Sequence, residues 1–259
     1  MSELTILWIA LPLALGFASY WLPRHGRCLA LVTAFVSLIY GLIHAINPEP
    51  LTLELIDRFG VTLVVDGLSG FFIVTNALVT AAVVLYCWSS DRTNFFFIQT
   101  LLLHGSVNAV FICADFISLY VALEVISIAA FLLIAYPRTS YAIWVGLRYL
   151  FVSNVAMLFY LIGAALVYQS SGTFAFAGFE QASQEAVVLI FLGLLTKGGI
   201  FVSGLWLPLT HSESESPVSA LLSGVVVKTG IFPLVRFALM FEAIDPTVRL
   251  FGVGTALLG

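Results

Sequence analysis

The chain has 259 residues, 61% of them hydrophobic and only 9% charged, with a formal net charge of −4 and a mean hydropathy of +1.09. A soluble domain averages about 45–50% apolar and about 25% charged residues, so the composition excludes a soluble enzyme and a basic nucleic-acid surface alike. The apolar runs reach the roughly 20 helical residues that cross a hydrocarbon core, too long for a barrel of strands of about 10 residues, and the fold class is read as all-α, a polytopic transmembrane helix bundle.

The first run, residues 4–22, has no basic residue before it and no cleavage site followed by a soluble chain, so it reads as a retained helix and not a signal peptide. Polar breaks then divide the sequence into spans at 28–46, 68–88, 94–113, 116–136, 142–168, 186–206 and 217–240. A further apolar run starts near Pro246 and is cut off at Gly259, giving about eight complete spans and a truncated ninth. The spans fall into residues 1–93 with three helices and an outer loop, residues 94–240 with five helices, and residues 241–259 as the start of another helix. The longer connections, 47–67 and 169–185, suit short structured caps at a membrane interface. Cytoplasmic loops are enriched in Lys and Arg; Arg24, Arg27, Arg92, Arg138 and Arg148 fall near one set of helix ends against Arg58 and Arg249, which puts the N-terminus outside. Cys28, Cys87 and Cys113 are isolated and read as small buried hydrophobes, not as a disulfide or metal framework.

Three ionisable residues stand out by depth. From a rise of 1.5 Å per residue, Glu124 lies ~13 Å into the fifth span, and Lys197 and Lys228, the two lysines of the chain, lie ~16 Å into the seventh and eighth. A charge at the bilayer centre costs about 2.5–3.5 kcal/mol even on the lenient insertion scale, so such groups face the bundle interior, water or one another. One acid and two amines at one level suit a row of proton-exchanging sites; the alternative, a static Glu124–lysine pair, uses only one lysine and stabilises no better than apolar packing. Gly198 and Gly199 behind Lys197 either let helices approach closely or, with Ser203, Gly204 and Pro208 beyond them, break the seventh helix, and a glycine- and proline-interrupted span points to a transport site. His211, in the linker LTHSESESP, is a candidate proton relay from the cytoplasm or part of a solvated loop in which Glu213 and Glu215 are plain charges and Ser216 caps the next helix. His104, four residues before Asn108 on one helical face, is a further relay candidate or a hydrogen-bonded packing residue. Arg236 reads as a snorkelling side chain, and His25 and His44 as terminal or interfacial.

The run DFISLYVALEVISIAAFLLIAY and the later LLTKGGIFVSGLWLPLTHSESESPVSALLSGVVVKTGIFPLVRF, with its W-L-P-x-x-H element and a lysine seventeen residues after His211, resemble the antiporter-like membrane subunits shared by respiratory complex I, membrane-bound hydrogenases and Mrp-type cation/proton antiporters. The look is nearest to the Mrp D-type subunit. The resemblance implies that Glu124 corresponds to the fifth-helix glutamate that pairs with a seventh-helix lysine, Lys197 to that lysine, Lys228 to the eighth-helix lysine that passes protons on, and His211 to a histidine found before that helix in many members. It also implies that residues 1–93 are three leading helices and that the five helices of residues 94–240 are a first repeat only, acting as a half-channel. The linker departs from the family at Ser214 and Glu215, where many members have an alanine-proline step.

The function expected on these grounds is translocation of protons, with sodium or potassium as a coupled ion, by an antiporter-like subunit without a catalytic site, cofactor or metal of its own. Expected partners are homologous antiporter-like and small membrane subunits, protons, monovalent cations and lipid, in a bacterial plasma membrane or a cyanobacterial thylakoid. Rival readings are a solute transporter with a broken-helix site, a haem-bearing redox subunit, and a structural subunit in which Glu124 and Lys197 are locked together.

Overall fold

The computed structural model describes residues 2–47, 49–55, 61–200, 204–242 and 244–258; Arg58, Ser203 and Gly259, which figure in the sequence reading, lie outside them. Among the described residues eleven α-helices follow one another: α1 (Ser2–Ala18), α2 (Gly26–Ile46), α3 (Gly67–Tyr86), α4 (Asn94–Ile112), α5 (Phe116–Ile134), α6 (Ser140–Ser171), α7 (Gln184–Lys197), α8 (Leu207–Glu213), α9 (Ser216–Leu221), α10 (Val227–Met240) and α11 (Asp245–Leu258). A π turn, Leu222–Val226, joins α9 to α10, so that Ser216–Met240 is one continuous helix. Among the described residues six helices are long and apolar enough to cross a membrane: α2 to α6 and Ser216–Met240. The eight expected spans reduce to six by this measure for local reasons. The chain turns after Ala18, which leaves α1 with 17 residues, and α7 stops at Lys197 after 14.

The all-α expectation needs one correction. The 47–67 connection contains two short antiparallel strands, β1 (Leu51–Glu54) and β2 (Thr62–Val65), paired from Leu51↔Val65 to Glu54↔Thr62. Alternation is the cause: Leu53, Leu63 and Val65 point into the core while their neighbours face outward. The pair is stitched to the adjoining helix ends, with Ala114 N–H donating to Thr62 O at 2.8 Å and Phe176 N–H to Ala114 O at 2.9 Å. It forms the structured cap expected on that face. Of the cysteines, Cys87 and Cys113 are buried as expected, whereas Cys28 is exposed.

Helix α4 is the axle of the bundle, buried on nearly every side and packed against α1, α2, α3, α5 and α10. Phe72 of α3, Phe111 of α4 and Phe232 of α10 meet with ring centroids 5.0–5.2 Å apart, the tilted and edge-on arrangement that aromatic quadrupoles favour. A second cluster, Phe116, Phe176, Phe179 and Phe237, seals the bundle beneath the β cap. The opposite end carries Arg27, whose guanidinium donates to the carbonyls of Trp88 (2.6 Å) and Ser90 (2.9 Å). It also carries Arg92, paired with Glu215 and lying over the rings of Phe96 and Tyr136. These contacts hold the segments bearing Arg27 and Arg92 at one end, and they make Glu215 an ion-pair partner instead of a plain loop charge. With Glu215 so engaged, the next helix begins at Ser216 itself, with no side-chain cap.

Helix α7 is wedged between α6 and α10 through glycines. Gly163 of α6 faces Ala186 and Ile190, Gly193 of α7 faces Ala156 and Tyr160, and Gly230 of α10 sits against Gly198 and Leu194. In a membrane, where helices gain nothing from hiding apolar surface from lipid, such small-residue contacts drive association. A methyl group on Gly230 would collide with the Gly198 nitrogen and stand 2.5 Å from Leu194 O, both backbone atoms that cannot yield alone. Gly230→Ala is therefore expected to destabilise the chain by about 1–3 kcal/mol, the usual range for overpacking. Thermal unfolding of the purified chain in detergent measures this, and an unchanged midpoint would refute it.

Candidate functional site

The site begins with the way α7 ends. Gly198 follows Lys197 as the helix cap and Gly199 takes the left-handed conformation, φ +65°, which glycine adopts without steric penalty. The backbone groups released there are satisfied locally: Gly198 N–H donates to Leu194 O at 2.8 Å, Ile200 N–H to Leu195 O at 3.1 Å, and the Trp206 indole to Thr196 O at 2.9 Å. Lys197 is thus the last residue of its helix, where the carbonyl end of the macrodipole favours a cation.

The Lys197 side chain is 1% exposed and runs toward α5 and α6. Its ammonium donates to Ser127 Oγ, to Ser153 Oγ at 2.7 Å and to the Leu123 carbonyl at 3.2 Å. The Tyr149 ring stands alongside, its centroid 5.8 Å from Nζ, and is itself backed by Trp206 at 5.0 Å. Leu123 and Ser127 lie about halfway along the 19-residue α5. The amine therefore sits near mid-depth of that helix. Glu124 is on the same turn and within electrostatic reach of Lys197. Yet the two form no ion pair: the salt bridges among the described residues are Arg92–Glu215 and Asp66–Arg236. Glu124 is half-buried, and its Oε1 is buried without a hydrogen-bond partner.

Lys228 is placed differently. It is half-buried on α10, with Nζ 2.5 Å from the Ser223 carbonyl in the π turn. Gly230 faces α7, and Lys228, two residues earlier, lies about 200° round the helix from it. The structure thus brings Glu124 and Lys197 to one place and leaves the Lys228 ammonium on another face. His211, on α8, is half-buried and shares a 2.6 Å hydrogen bond between Nδ1 and Ser219 Oγ of α9; Glu213 ends α8.

His104 belongs to a separate network. Nε2 meets Ser37 Oγ at 2.9 Å and Asn108 Nδ2 at 3.2 Å, and Nδ1 meets Thr80 Oγ1 at 3.0 Å. Asn76 donates to Asn108 Oδ1 at 2.8 Å and to the His104 carbonyl at 3.1 Å, and the Trp8 indole donates to Ser37 Oγ. Thr80 Oγ1 donates onward to Asn76 Oδ1. Because Asn108 Nδ2 is a donor, Nε2 is an acceptor and the ring proton belongs on Nδ1, donated to Thr80. All of these side chains are buried, and they tie α1, α2, α3 and α4 together. The packing reading of His104 has direct geometric support, and the spacing to Asn108 that suggested a shared face is realised as a contact.

Several residues escaped the sequence reading. Ser127 stands three residues after Glu124, one turn away on the same helix, and that spacing was a usable signal. Ser153 and Tyr149 on α6 carried none. Arg236, expected to snorkel, is instead 6% exposed and donates to Asp66 Oδ1 at 3.1 Å and Ser69 Oγ at 2.8 Å. It can stay inside because Asp66, the N-cap of α3, also accepts from Ser69 N–H at 2.8 Å and brings a carboxylate to the rim of the bundle.

Comparison with known proteins finds similar chains in respiratory and antiporter membrane complexes. Residues 113–259 match the family described as NADH:quinone oxidoreductase/Mrp antiporter, transmembrane. The chain is similar to the D-type subunit of the Na(+)/H(+) antiporter of Alkalihalophilus pseudofirmus, 26% identical over 93% of this chain and 54% of that protein. It is also similar to NAD(P)H-quinone oxidoreductase chain 4 1 of Synechococcus sp. (strain JA-3-3Ab), 28% identical over 88% of this chain and 48% of that protein. The fold resembles a chain of the membrane-bound sulfane sulfur reductase, an archaeal respiratory membrane complex, with a TM-score of 0.83, 20% identity and coverage of 96% of this chain and 56% of that one. It likewise resembles a chain of the Mrp complex from Dietzia sp. DQ12-45-1b, with a TM-score of 0.79, 18% identity and coverage of 88% and 46%. The chain spans about half the length of the curated relatives it matches.

The Asp66–Arg236 contact has a pH signature. Burial works against ionisation of Asp66, but the Ser69 N–H and the Arg236 guanidinium outweigh it and hold the carboxyl below the usual aspartate range. A carboxyl depressed in the folded chain contributes stability above its unfolded pKa and loses it as pH falls through the folded value. Asp66→Asn should lower the unfolding midpoint in detergent at neutral pH by about 2–4 °C. The gap to the unsubstituted chain should close as pH falls below about 4; a gap independent of pH would show that the charge is not what matters.

Proposed function

The chain belongs to the NADH:quinone oxidoreductase/Mrp antiporter membrane family, and from that premise we propose that it is a proton-translocating, antiporter-type subunit whose central exchange site is Lys197 with Glu124 as its charge partner. Its helices make it a multi-pass membrane protein. The observation that carries the reading is an ammonium group 1% exposed and near mid-depth, held by neutral oxygens, with a carboxylate oxygen on the same turn left without a partner. A purely structural ion pair would have closed that gap. An exchange site benefits from keeping it open, because the ammonium can move between the neutral oxygens and the carboxylate, and its hold on a proton changes with the move.

In this reading α7 and α8 are the two halves of one interrupted span, with residues 198–206 between them, and residues 94–240 form the repeat that carries the half-channel. His211 stands where protons would arrive from the arginine-rich end, and Lys228 receives or supplies them on the other side of α10. Water entering the bundle would bridge the two lysines, since they share no hydrogen bond in this structure. Sodium or potassium is the coupled ion where the partner complex is an antiporter. Partners are other antiporter-like and small membrane subunits, by analogy with the relatives named above.

A second reading has an observation in its favour: three acceptors satisfy the Lys197 ammonium completely, as they would in a static anchor joining α5, α6 and α7. The two separate on transport. In vesicles containing the chain in its native membrane complex, Lys197→Ala and Glu124→Gln should each lower proton transport by about tenfold or more, the order lost when a proton-transfer group is removed, with the complex still assembled. Full transport in the Lys197→Ala complex would defeat the proposal, and reduced stability without a transport defect would establish the anchor.

A further inference from the structure

The hydrogen bonds around Lys197 can be counted atom by atom, because each group has a fixed number of donors and lone pairs. Ser127 Oγ donates its single proton to the Leu123 carbonyl at 2.8 Å. It also lies 2.9 Å from Ser153 Oγ. Since the Ser127 proton is already used, Ser153 must supply the proton of that second bond. Lys197 then donates to Ser127 Oγ, Ser153 Oγ and Leu123 O. Ser127 is saturated, with one bond donated and two accepted, and the ammonium is saturated with three. Ser153 donates one bond and accepts one, and retains a lone pair.

We infer that Ser127 and Ser153 are positioning residues for proton exchange at Lys197, with Ser153 as an adaptor whose hydroxyl turns over when the amine changes its protonation state. When the ammonium gives a proton to water in the bundle, Nζ keeps two N–H groups and gains a lone pair. Its N–H groups remain on Ser127 Oγ and Leu123 O. The Ser153 hydroxyl rotates from Ser127 to Nζ and donates to the new lone pair. No N–H loses its acceptor and no helix moves. A buried polar group left unpaired costs roughly 1–3 kcal/mol, so a site lacking this rotor would favour one protonation state and resist the other. Hydroxyl rotation has no such barrier. The titratable groups that face Lys197 are Glu124 on α5 and Tyr149 on α6, while α10 presents Gly230.

The inference rests on the reading of Lys197 as an exchange site, and it is tested by a measurement that does not depend on transport. The chain has two lysines. The 259-residue chain labelled with ¹⁵Nζ-lysine in lipid therefore gives two side-chain signals, and Lys228→Arg assigns the one from Lys197. Ser127→Ala and Ser153→Ala should each move the titration midpoint of that signal by about one pH unit or more, the scale of a lost hydrogen bond. Ser153→Thr, which keeps the hydroxyl, should stay within about 0.3 unit, well inside that scale. If an alanine variant does not accumulate, the corresponding Ser→Cys variant, which replaces a strong acceptor by a weak one, carries the same comparison. Midpoints that match the unsubstituted chain in the alanine or cysteine variants would overturn the inference. Transport by Lys197→Ala decides the translocation reading separately, so either can fail while the other stands.

Discussion

Much of the arrangement follows from one requirement: an ammonium group taken out of water needs three acceptors, and no single helix offers them at one place. Lys197 finds Leu123 and Ser127 on α5 and Ser153 on α6, so three helices must meet around its tip to within hydrogen-bonding distance. The glycines on α6, α7 and α10 make that meeting possible, since their missing side chains let backbones touch. The end of α7 serves the same requirement. By ending α7 at Lys197, the Gly198–Gly199 step puts the amine at the carbonyl end of a helix, and Trp206 stands against Tyr149 beside it.

The charge exchange proposed for Lys197 requires a frame that does not move with it. The His104 network supplies part of that frame, because it joins α1 to α4 through side chains whose donors and acceptors are nearly all matched to one another. Buried polar networks of this kind rigidify when complete. The two ends are fastened separately, by Asp66–Arg236 beneath the β cap and by Arg92–Glu215 at the arginine-rich face. Both fastenings reach the continuous helix Ser216–Met240, one near each end. Thus the helix that bears Lys228 is pinned at its termini while its middle carries the π turn, the kind of local irregularity often found at functional positions.

Much of this was legible in the sequence, for physical reasons that can be named. Hydropathy marks a membrane helix because backbone polarity must be satisfied within it, so α2 to α6 could be read directly, and a charge inside such a run is costly enough to single out Lys197 and Glu124 as ionisable residues of the bundle interior. The departures concern relations between distant segments. Asp66 and Arg236 are 170 residues apart, and nothing local announces their pairing, so Arg236 read as a snorkelling side chain. Ser153 is an ordinary serine until α7 is laid beside α6. The β pair was hidden in a connection whose alternation covers four residues per strand, too few to stand against the surrounding helical pattern. Depth along a helix came from counting, but direction around it did not, and that is why Lys228 could be placed at the same level as Lys197 without its face being known.

That difference in facing separates the two lysines as chemical groups. Lys197 is enclosed, its three bonds all made to groups of the fold, so its protonation state is tied to what α5 and α6 present. Lys228 is half-buried and has the Ser223 carbonyl of its own helix as partner; one bond leaves two of its three donors to be met by whatever lies outside α10. An enclosed amine interacts with groups the fold sets around it, whereas an open one also meets whatever lies outside its own helix. In the proposed function, a path from the open amine to the enclosed one would lead from a site facing away from α7 to a site built by the fold. In a translocating protein, it is at the second of these that a neighbouring charge such as Glu124 can exert control.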